Sequence, residues 1–109
     1  MRVHRIGWVL LMLPVVYVSS CTYTSITGNR AYERLQVGDS KDTVIRLFGA
    51  RFVRETDDHP FTKYDNRQCQ SPCVERLWFE NKLAFYEEAW SVDLDKAGVV
   101  LDKGSYTMP

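Results

Sequence analysis

Histidine is scarce in this chain, with 2 among 109 residues, and only His59 lies outside the first 20 residues. A structural zinc site takes four ligands. The pair Cys69 and Cys73 would need two more, and only His59 is available. The segment Asp57–Pro60 around that histidine consists of ordinary turn formers beside a proline. A Ser-His-Asp catalytic triad needs one histidine, so the number of histidines does not exclude it. The sequence, however, shows no nucleophile elbow. We therefore expect no catalytic residues, no metal site and no cofactor.

A basic cluster is also missing. Lysine plus arginine total 14, as do aspartate plus glutamate. Without residues 1–20, which contain Arg2 and Arg5, the balance becomes 12 basic against 14 acidic residues. A nucleic-acid-binding face displaces phosphate counterions with clustered lysine and arginine. We therefore expect no nucleic-acid partner.

Long apolar runs are absent, because the main one, Ile6–Val18, has 13 residues. As a helix it would extend about 20 Å, whereas a membrane span needs about 20 residues. A helix that packs on the core of a domain has a polar face toward solvent, and this run has none. It follows Arg2, His4 and Arg5 and precedes Ser19 and Ser20, which is the three-part pattern of an export signal. Residues 1–20 are therefore predicted to be a cleaved signal peptide, and 109 minus 20 leaves 89 residues.

The four residues Val18–Cys21 resemble the lipobox of bacterial lipoproteins, in which an aliphatic and two small residues precede the lipidated cysteine. Cys21 could then carry a diacylglycerol thioether, and its amino group a further acyl chain such as palmitate. Two or three chains hold a protein on a membrane far more firmly than one. The alternative is ordinary secretory cleavage, which leaves Cys21 unmodified.

The residue after the cysteine indicates which membrane, inner or outer, the lipoprotein would occupy. Aspartate at the next position favours the inner membrane in enterobacterial lipoproteins, and this chain has Thr22 there, so the resemblance implies the outer membrane with a periplasm-facing domain. Residues 22–29 are polar and show no helical periodicity, which predicts a lipidated tether over residues 21–29. The folded domain is then expected over residues 30–109.

Two short helices are predicted at the start of this domain. The first is a helical turn over residues 31–36. The second covers about 41–48, with Ser40 as N-cap, Asp42 in the first turn and Gly49 as C-cap. Its apolar residues recur at helical spacing, so it must dock on another element.

A meander of strands follows the helices. A first strand is expected from Phe52, followed by a polar loop over residues 55–68 and a second strand over 74–79. Residues 84–94 alternate in the manner of a half-buried strand. The turn Asp95–Gly98 leads to a last strand over 99–101. The sequence thus predicts an α+β fold, with short N-terminal helices packed on a small three- to four-stranded antiparallel sheet.

Two stretches carry a family resemblance. Leu35–Gly49 has a Leu-x-x-Gly start, a serine cap and a Leu-x-Gly end, with Phe48 between Leu47 and Gly49. Together with Trp90–Val100, it resembles the SmpA/OmlA, or BamE-like, outer-membrane lipoprotein family over about residues 30–106. The region Cys73–Tyr106 is similar to the osmotically inducible lipoproteins of that family. Asp39 and Arg51 depart from the family, which often has methionine and proline at those positions.

The resemblance implies a BamE-like α+β fold and a non-catalytic accessory role in the cell envelope. The expected function is an anchored binding module that supports envelope assembly, integrity or the osmotic-stress response, with another envelope protein as partner. A second hypothesis is a periplasmic binder of phospholipid or cell-wall fragments. A third is a periplasmic enzyme or redox protein.

Cys69 and Cys73 are the second chemical feature of the chain. Export to an oxidising compartment favours a disulfide, and Pro72 can help turn the chain so that the two sulfur atoms meet. Free thiols and a redox-active pair are the alternatives. Redox motifs usually have two intervening residues ahead of a helix, whereas this pair has three ahead of a predicted strand.

Aromatic residues crowd the predicted sheet, in numbers that two short helices would not obviously cover. Core packing is one interpretation. The other is an exposed patch that contacts a protein or lipid partner. The candidate contact residues are Trp78, Phe85, Tyr86 and Trp90.

Overall fold

The computed structural model describes residues 2–65, 67–82 and 87–108. Its elements, in chain order, are α1 (Arg2–Arg34), α2 (Lys41–Phe48), β1 (Val53–Glu55), β2 (Glu75–Glu80), β3 (Glu87–Leu94) and β4 (Val100–Met108). The strands form one antiparallel sheet in the order β1-β2-β3-β4. This confirms the predicted α+β fold.

Local sequence signals define α2. The Ser40 hydroxyl accepts a hydrogen bond from the Thr43 amide at 3.2 Å, which satisfies one of the free N–H groups of the first turn. Gly49 ends the helix with φ of 97°, a backbone conformation that favours glycine, and its N–H donates to the Ile45 carbonyl at 2.7 Å. The bounds, the N-cap and the C-cap predicted for this helix are confirmed.

Helix α1 differs from its prediction. It runs without interruption from Arg2 to Arg34, so residues 22–29 are helical although their sequence shows no helical periodicity. The short helix expected over residues 31–36 is the end of this longer one, and Leu35 and Gln36 lie beyond it. Tertiary contacts made by residues 25–32, described below, explain why a segment with weak periodicity is helical.

The main core lies between the two helices and one face of the sheet. Leu77 and Phe79 of β2 oppose Val92 and Trp90 of β3, and Phe48 of α2 stacks on Phe79 with ring centroids 4.6 Å apart. The buried cluster comprises Leu35, Val44, Leu77, Phe79, Trp90, Val92, Leu94 and Val100. The apolar stripe of α2 therefore docks on the sheet, as its length requires.

The opposite face of the sheet is also covered. Residues 56–65 and 67–74, which we call the covering loop, place Phe61 and Tyr64 against Trp78, with ring centroids 5.7 and 5.4 Å apart. Tyr106 of β4 lies 5.2 Å from Trp78 on the same face. The prediction of a half-buried β3 is therefore wrong, because Ser91, on the loop side of that strand, is buried as well.

The last hairpin is longer than predicted. Gly98 has φ of 75°, and the Asp95 carboxylate accepts hydrogen bonds from the amides of Ala97 and Val99 at 2.9 Å. This side-chain bonding stabilises the turn. β4 then continues to Met108, paired with β3 along its length, although its sequence is largely polar. Pairing with a buried neighbour outweighs the weak strand propensity of those residues.

Candidate functional site

The predicted lipidation site, Cys21, lies in α1 four residues before Ser25, whose side chain contacts the sheet. The Ser25 hydroxyl donates to the Glu88 carboxylate of β3 at 3.1 Å. The Asn81 side chain donates to the other oxygen of Glu88 at 2.9 Å, so this buried carboxylate is satisfied. Four residues of helix correspond to about 6 Å. The candidate anchor is thus held close to the domain by a docked helix.

Further along α1, the helix packs directly against β3 and also contacts β4. The Trp90 indole N–H donates to the Asn29 side-chain oxygen at 3.2 Å. A Cβ at Gly28 would lie 2.2 Å from the nearest Trp90 ring atom, so glycine permits this close approach. The Lys103 ammonium donates to the Tyr32 carbonyl and lies 4.3 Å from the centroid of the Tyr32 ring.

Two of the four candidate contact residues are buried. Trp78 is 0% exposed and Trp90 is 3% exposed. The prediction that these two side chains contact a partner is wrong, because the covering loop packs over Trp78 while α1 and α2 enclose Trp90. Phe85 and Tyr86 lie outside the described residues.

Exposed apolar side chains occur elsewhere, on α1 just after Cys21. Tyr23 is 72% exposed and Ile26 is 46% exposed. Tyr23 also lines an open cavity of about 240 Å³ between α1, α2 and the sheet, together with Gly28, Phe48 and Trp90. These positions place apolar surface close to the candidate anchor.

A buried ionic cluster lies under the covering loop. The Arg76 guanidinium, in a residue 5% exposed, donates to the Asp93 carboxylate through Nε at 2.6 Å and Nη2 at 3.3 Å. Its Nη1 donates to the Arg67 carbonyl at 2.6 Å and lies 3.6 Å from the Glu55 carboxylate. Glu55 also accepts from the Trp78 indole N–H at 2.8 Å. The cluster therefore joins β1, β2, β3 and the loop, and sequence reasoning missed it.

Two further polar groups fasten the covering loop to the sheet. Glu80 of β2 accepts from the Tyr64 hydroxyl at 2.6 Å and from the Lys63 ammonium at 2.9 Å. Burial and the bond to Glu80 raise the pKa of Tyr64 to about 12. The Tyr106 hydroxyl of β4 donates to the Asp65 carboxylate at 3.0 Å. The loop is thus held on the sheet by hydrogen bonds as well as by ring packing.

The covering loop also contains the cysteine pair. Cys69 and Cys73 form a disulfide with the sulfur atoms 2.04 Å apart, and Cys69 is buried. The peptide bond between Ser71 and Pro72 is cis. The disulfide closes a small ring within the loop, two positions after Arg67.

Replacing Cys69 and Cys73 together by alanine should lower the free energy of unfolding by about 2 kcal/mol, because the small ring no longer restricts the unfolded chain. Urea denaturation under oxidising conditions measures the difference. In excess reductant, wild type and variant should unfold at nearly the same urea concentration. Equal stabilities under oxidising conditions would contradict the prediction.

The described residues contain no group of three or more His, Cys, Asp or Glu side chains suited to a metal ion. His59 is exposed and forms a tight turn in which its backbone exchanges hydrogen bonds with Thr56 at 3.1 and 3.2 Å. The loop around His59 is therefore a turn at the surface.

Comparison with known proteins yields no relative. No protein-family model, curated protein or solved structure matches this chain. Neither helix, over the part of the chain that the structure describes, combines the length and apolarity needed to cross a membrane. The SmpA/OmlA resemblance stays a prediction from sequence motifs.

The carboxylates of Glu75 and Glu80 are bonded to cationic side chains, and their pKa values are lowered. Burial raises the pKa of Glu75, but hydrogen bonds from Lys41, at 2.8 Å, and from Arg54 lower it more, so the net pKa lies below the usual 4.5. The pKa of Glu80 is likewise lowered, since the bonds from Tyr64 and Lys63 outweigh its burial.

Stability should therefore fall as the solution is acidified. A carboxylate with a lowered folded-state pKa stabilises the fold above its unfolded pKa, and this contribution is lost as pH falls through the folded value. We expect the free energy of unfolding to decrease below about pH 4.5, and to decrease less steeply in the Glu75→Gln variant. Denaturant titrations at a series of pH values measure both slopes. Parallel curves for wild type and Glu75→Gln would contradict the assignment.

Proposed function

We propose that this chain is exported, cleaved before Cys21 and anchored by acyl chains on that cysteine to the periplasmic side of the outer membrane. The observation that carries the proposal is the position of Cys21, directly after an apolar stretch and the small residues Ser19 and Ser20. Thr22 supports the outer rather than the inner membrane. Two or three acyl chains make detachment slow, because each buried methylene contributes about 0.8 kcal/mol.

The anchored domain acts as a non-catalytic accessory or binding module that supports envelope assembly, integrity or the osmotic-stress response. The motifs in Leu35–Gly49 and Trp90–Val100 support this role, since they resemble the SmpA/OmlA family. The alternative, a binder of phospholipid or cell-wall fragments through an aromatic patch, loses support because Trp78 and Trp90 are buried.

Metabolic labelling with radioactive palmitate tests the anchor. Label should enter the wild-type protein, and it should fail to enter Cys21→Ser. The matched control is the double variant Cys69→Ser with Cys73→Ser, which lacks the other two cysteines and should incorporate label as wild type does. Membrane fractionation should place the labelled protein in the outer membrane. Equal labelling of Cys21→Ser and wild type would overturn the proposal.

A partner can be sought from exposed positions. Val37 and Val74 are exposed large apolar residues of the domain, outside the disulfide ring. A photo-crosslinking amino acid at either position should capture an envelope protein in living cells, whereas the same amino acid at the buried Val92 should capture none. Cross-links restricted to lipid would favour the binder hypothesis instead.

A further inference from the structure

The direction of α1 determines which end of the sheet is closest to Cys21. Ser25 contacts Glu88 near the start of β3, and Asn29 contacts Trp90. Leu35, after the helix, belongs to the core cluster that contains Leu94, at the end of β3. α1 therefore runs alongside β3 in the same direction. Its N-terminal extension, with Cys21, overhangs the end of the sheet where β3 begins.

We call this end of the sheet the anchor end and define it by Glu80–Lys82, Glu87–Glu88 and Thr107. The register supports the grouping, since Glu80 opposes Ala89 and Glu88 opposes Thr107. Arg51 joins it, because it lines the same cavity as Glu80 and Lys82, of about 580 Å³. The opposite end, which we call the distal end, is defined by Asp39–Asp42 and Asp95–Gly98, which are joined by the bond from the Lys41 amide to the Gly98 carbonyl at 2.9 Å.

Exposed charge differs between the two ends. At the anchor end Arg51 and Lys82 are exposed cations, with Glu87 as the exposed anion. Glu88 is buried, and Glu80 is bonded to Lys63 and Tyr64. At the distal end Asp42 is an exposed anion and Lys96 an exposed cation. Asp39 and Asp95 are half-buried there and accept hydrogen bonds from backbone amides, and the ammonium of Lys41 is paired with Glu75.

We propose that docked α1 holds the anchor end against the phospholipid surface, with Arg51 and Lys82 at the level of the headgroup phosphates. The inference rests on the proposed acylation of Cys21. About 6 Å of helix separates Cys21 from Ser25, too little for the domain to turn its distal end toward the lipid. Lysine and arginine near an anionic lipid surface each gain about 1 kcal/mol. Exposed Tyr23 follows the anchor by two residues, and tyrosine favours the membrane–water interface.

Paramagnetic relaxation tests the orientation. The acylated protein, purified from cells, is inserted into nanodiscs of phosphatidylethanolamine and phosphatidylglycerol that contain a gadolinium-chelating lipid. The strands are about 20 Å long, so the two ends lie at clearly different heights. Amide relaxation should be enhanced several-fold more at Lys82 and Thr107 than at Lys96 and Gly98. Equal enhancement at both ends, or a larger one at the distal end, would overturn the inference.

Charge variants test the headgroup contact. Arg51→Glu with Lys82→Glu should reduce the enhancement at Thr107 at least twofold, and Lys96→Glu, the matched change at the distal end, should leave it unchanged. Nanodiscs of phosphatidylcholine alone should show a smaller effect of the double substitution. An unchanged value in the double variant would remove Arg51 and Lys82 from the contact.

The inference and the proposed function fail in different ways. Mass spectrometry of the purified protein reports whether Cys21 carries acyl chains. A protein without them refutes the anchor, and the orientation with it. An acylated protein with equal relaxation at both ends keeps the anchor and refutes only the orientation.

Discussion

Replacing Arg76 by methionine should lower the free energy of unfolding by about 3–5 kcal/mol, the loss typical of a broken buried ion pair. Methionine keeps much of the volume of the arginine stem but removes every hydrogen bond that the guanidinium donates. The Asp93 and Glu55 carboxylates then lose their shared cation, and the Arg67 carbonyl loses a donor at 2.6 Å. Urea denaturation at neutral pH measures the change.

The neighbouring strand provides a matched control. Arg54 of β1 also pairs with a carboxylate, that of Glu75, but its side chain is 59% exposed whereas that of Arg76 is 6% exposed. Arg54→Met should therefore cost no more than about 1 kcal/mol, because water screens an exposed pair. If Arg76→Met and Arg54→Met lowered the free energy of unfolding by similar amounts, burial of the ion pair would not be the cause of the large effect expected for Arg76.

A double-mutant cycle separates the Arg76–Asp93 pair from the rest of the cluster. If an unpaired carboxylate causes much of the loss, Asp93→Asn should be less harmful in the Arg76→Met background than in wild type. A coupling of about 1–3 kcal/mol is expected for groups in direct contact. Additive losses would indicate that Arg76 acts mainly through Glu55 and the Arg67 carbonyl.

Elements with local signals were predicted well. The helix α2 is specified by Ser40, which caps its first turn, and by Gly49, which adopts a positive φ at its end. Such caps act through hydrogen bonds within a few residues, so they can be identified without knowledge of the fold. The hairpin turn at Asp95–Gly98 was predicted for the same reason.

Features that depend on distant contacts were missed. Residues 22–29 have no helical periodicity because their docked side includes a glycine and small polar residues, of which Ser25 and Gly28 contact β3. The buried position of Arg76 was missed because a charged residue in a strand usually indicates a solvated face. The continuous apolar run Leu77–Phe79 was the available signal, since such runs occur in strands buried on both faces.

The same limit explains the outcome for the aromatic residues. From the sequence, two short helices are the only elements that could cover the aromatic side chains of the sheet, so both a core and a surface position are possible for them. Phe61 and Tyr64 of the covering loop, in a segment predicted to be polar and irregular, supply the missing cover for Trp78. The surface that would bind the proposed partner must therefore be sought among other residues, such as the exposed Val37 and Val74.

Replacing Gly28 by leucine should separate α1 from the sheet and lower the free energy of unfolding by about 3 kcal/mol or more, because the new side chain has no room. A Cβ alone would lie 2.2, 2.5 and 2.6 Å from three atoms of the Trp90 ring. The ring cannot move easily, since it is buried and its N–H is bonded to Asn29. Chemical denaturation and a red shift of tryptophan emission measure the loss of docking.

The smaller substitution Gly28→Ala should change the free energy of unfolding in opposite directions for a docked and an undocked α1. In a helix that packs against nothing, alanine is about 1 kcal/mol better than glycine, so an undocked α1 would be stabilised. Against Trp90, the overlap should outweigh this gain and leave the variant less stable than wild type. Ile26→Ala, on the exposed side of the same helix, should change stability by less than about 0.5 kcal/mol. A more stable Gly28→Ala would mean that α1 does not rest on β3 in solution, and the short connection between Cys21 and the domain would then act as a flexible tether.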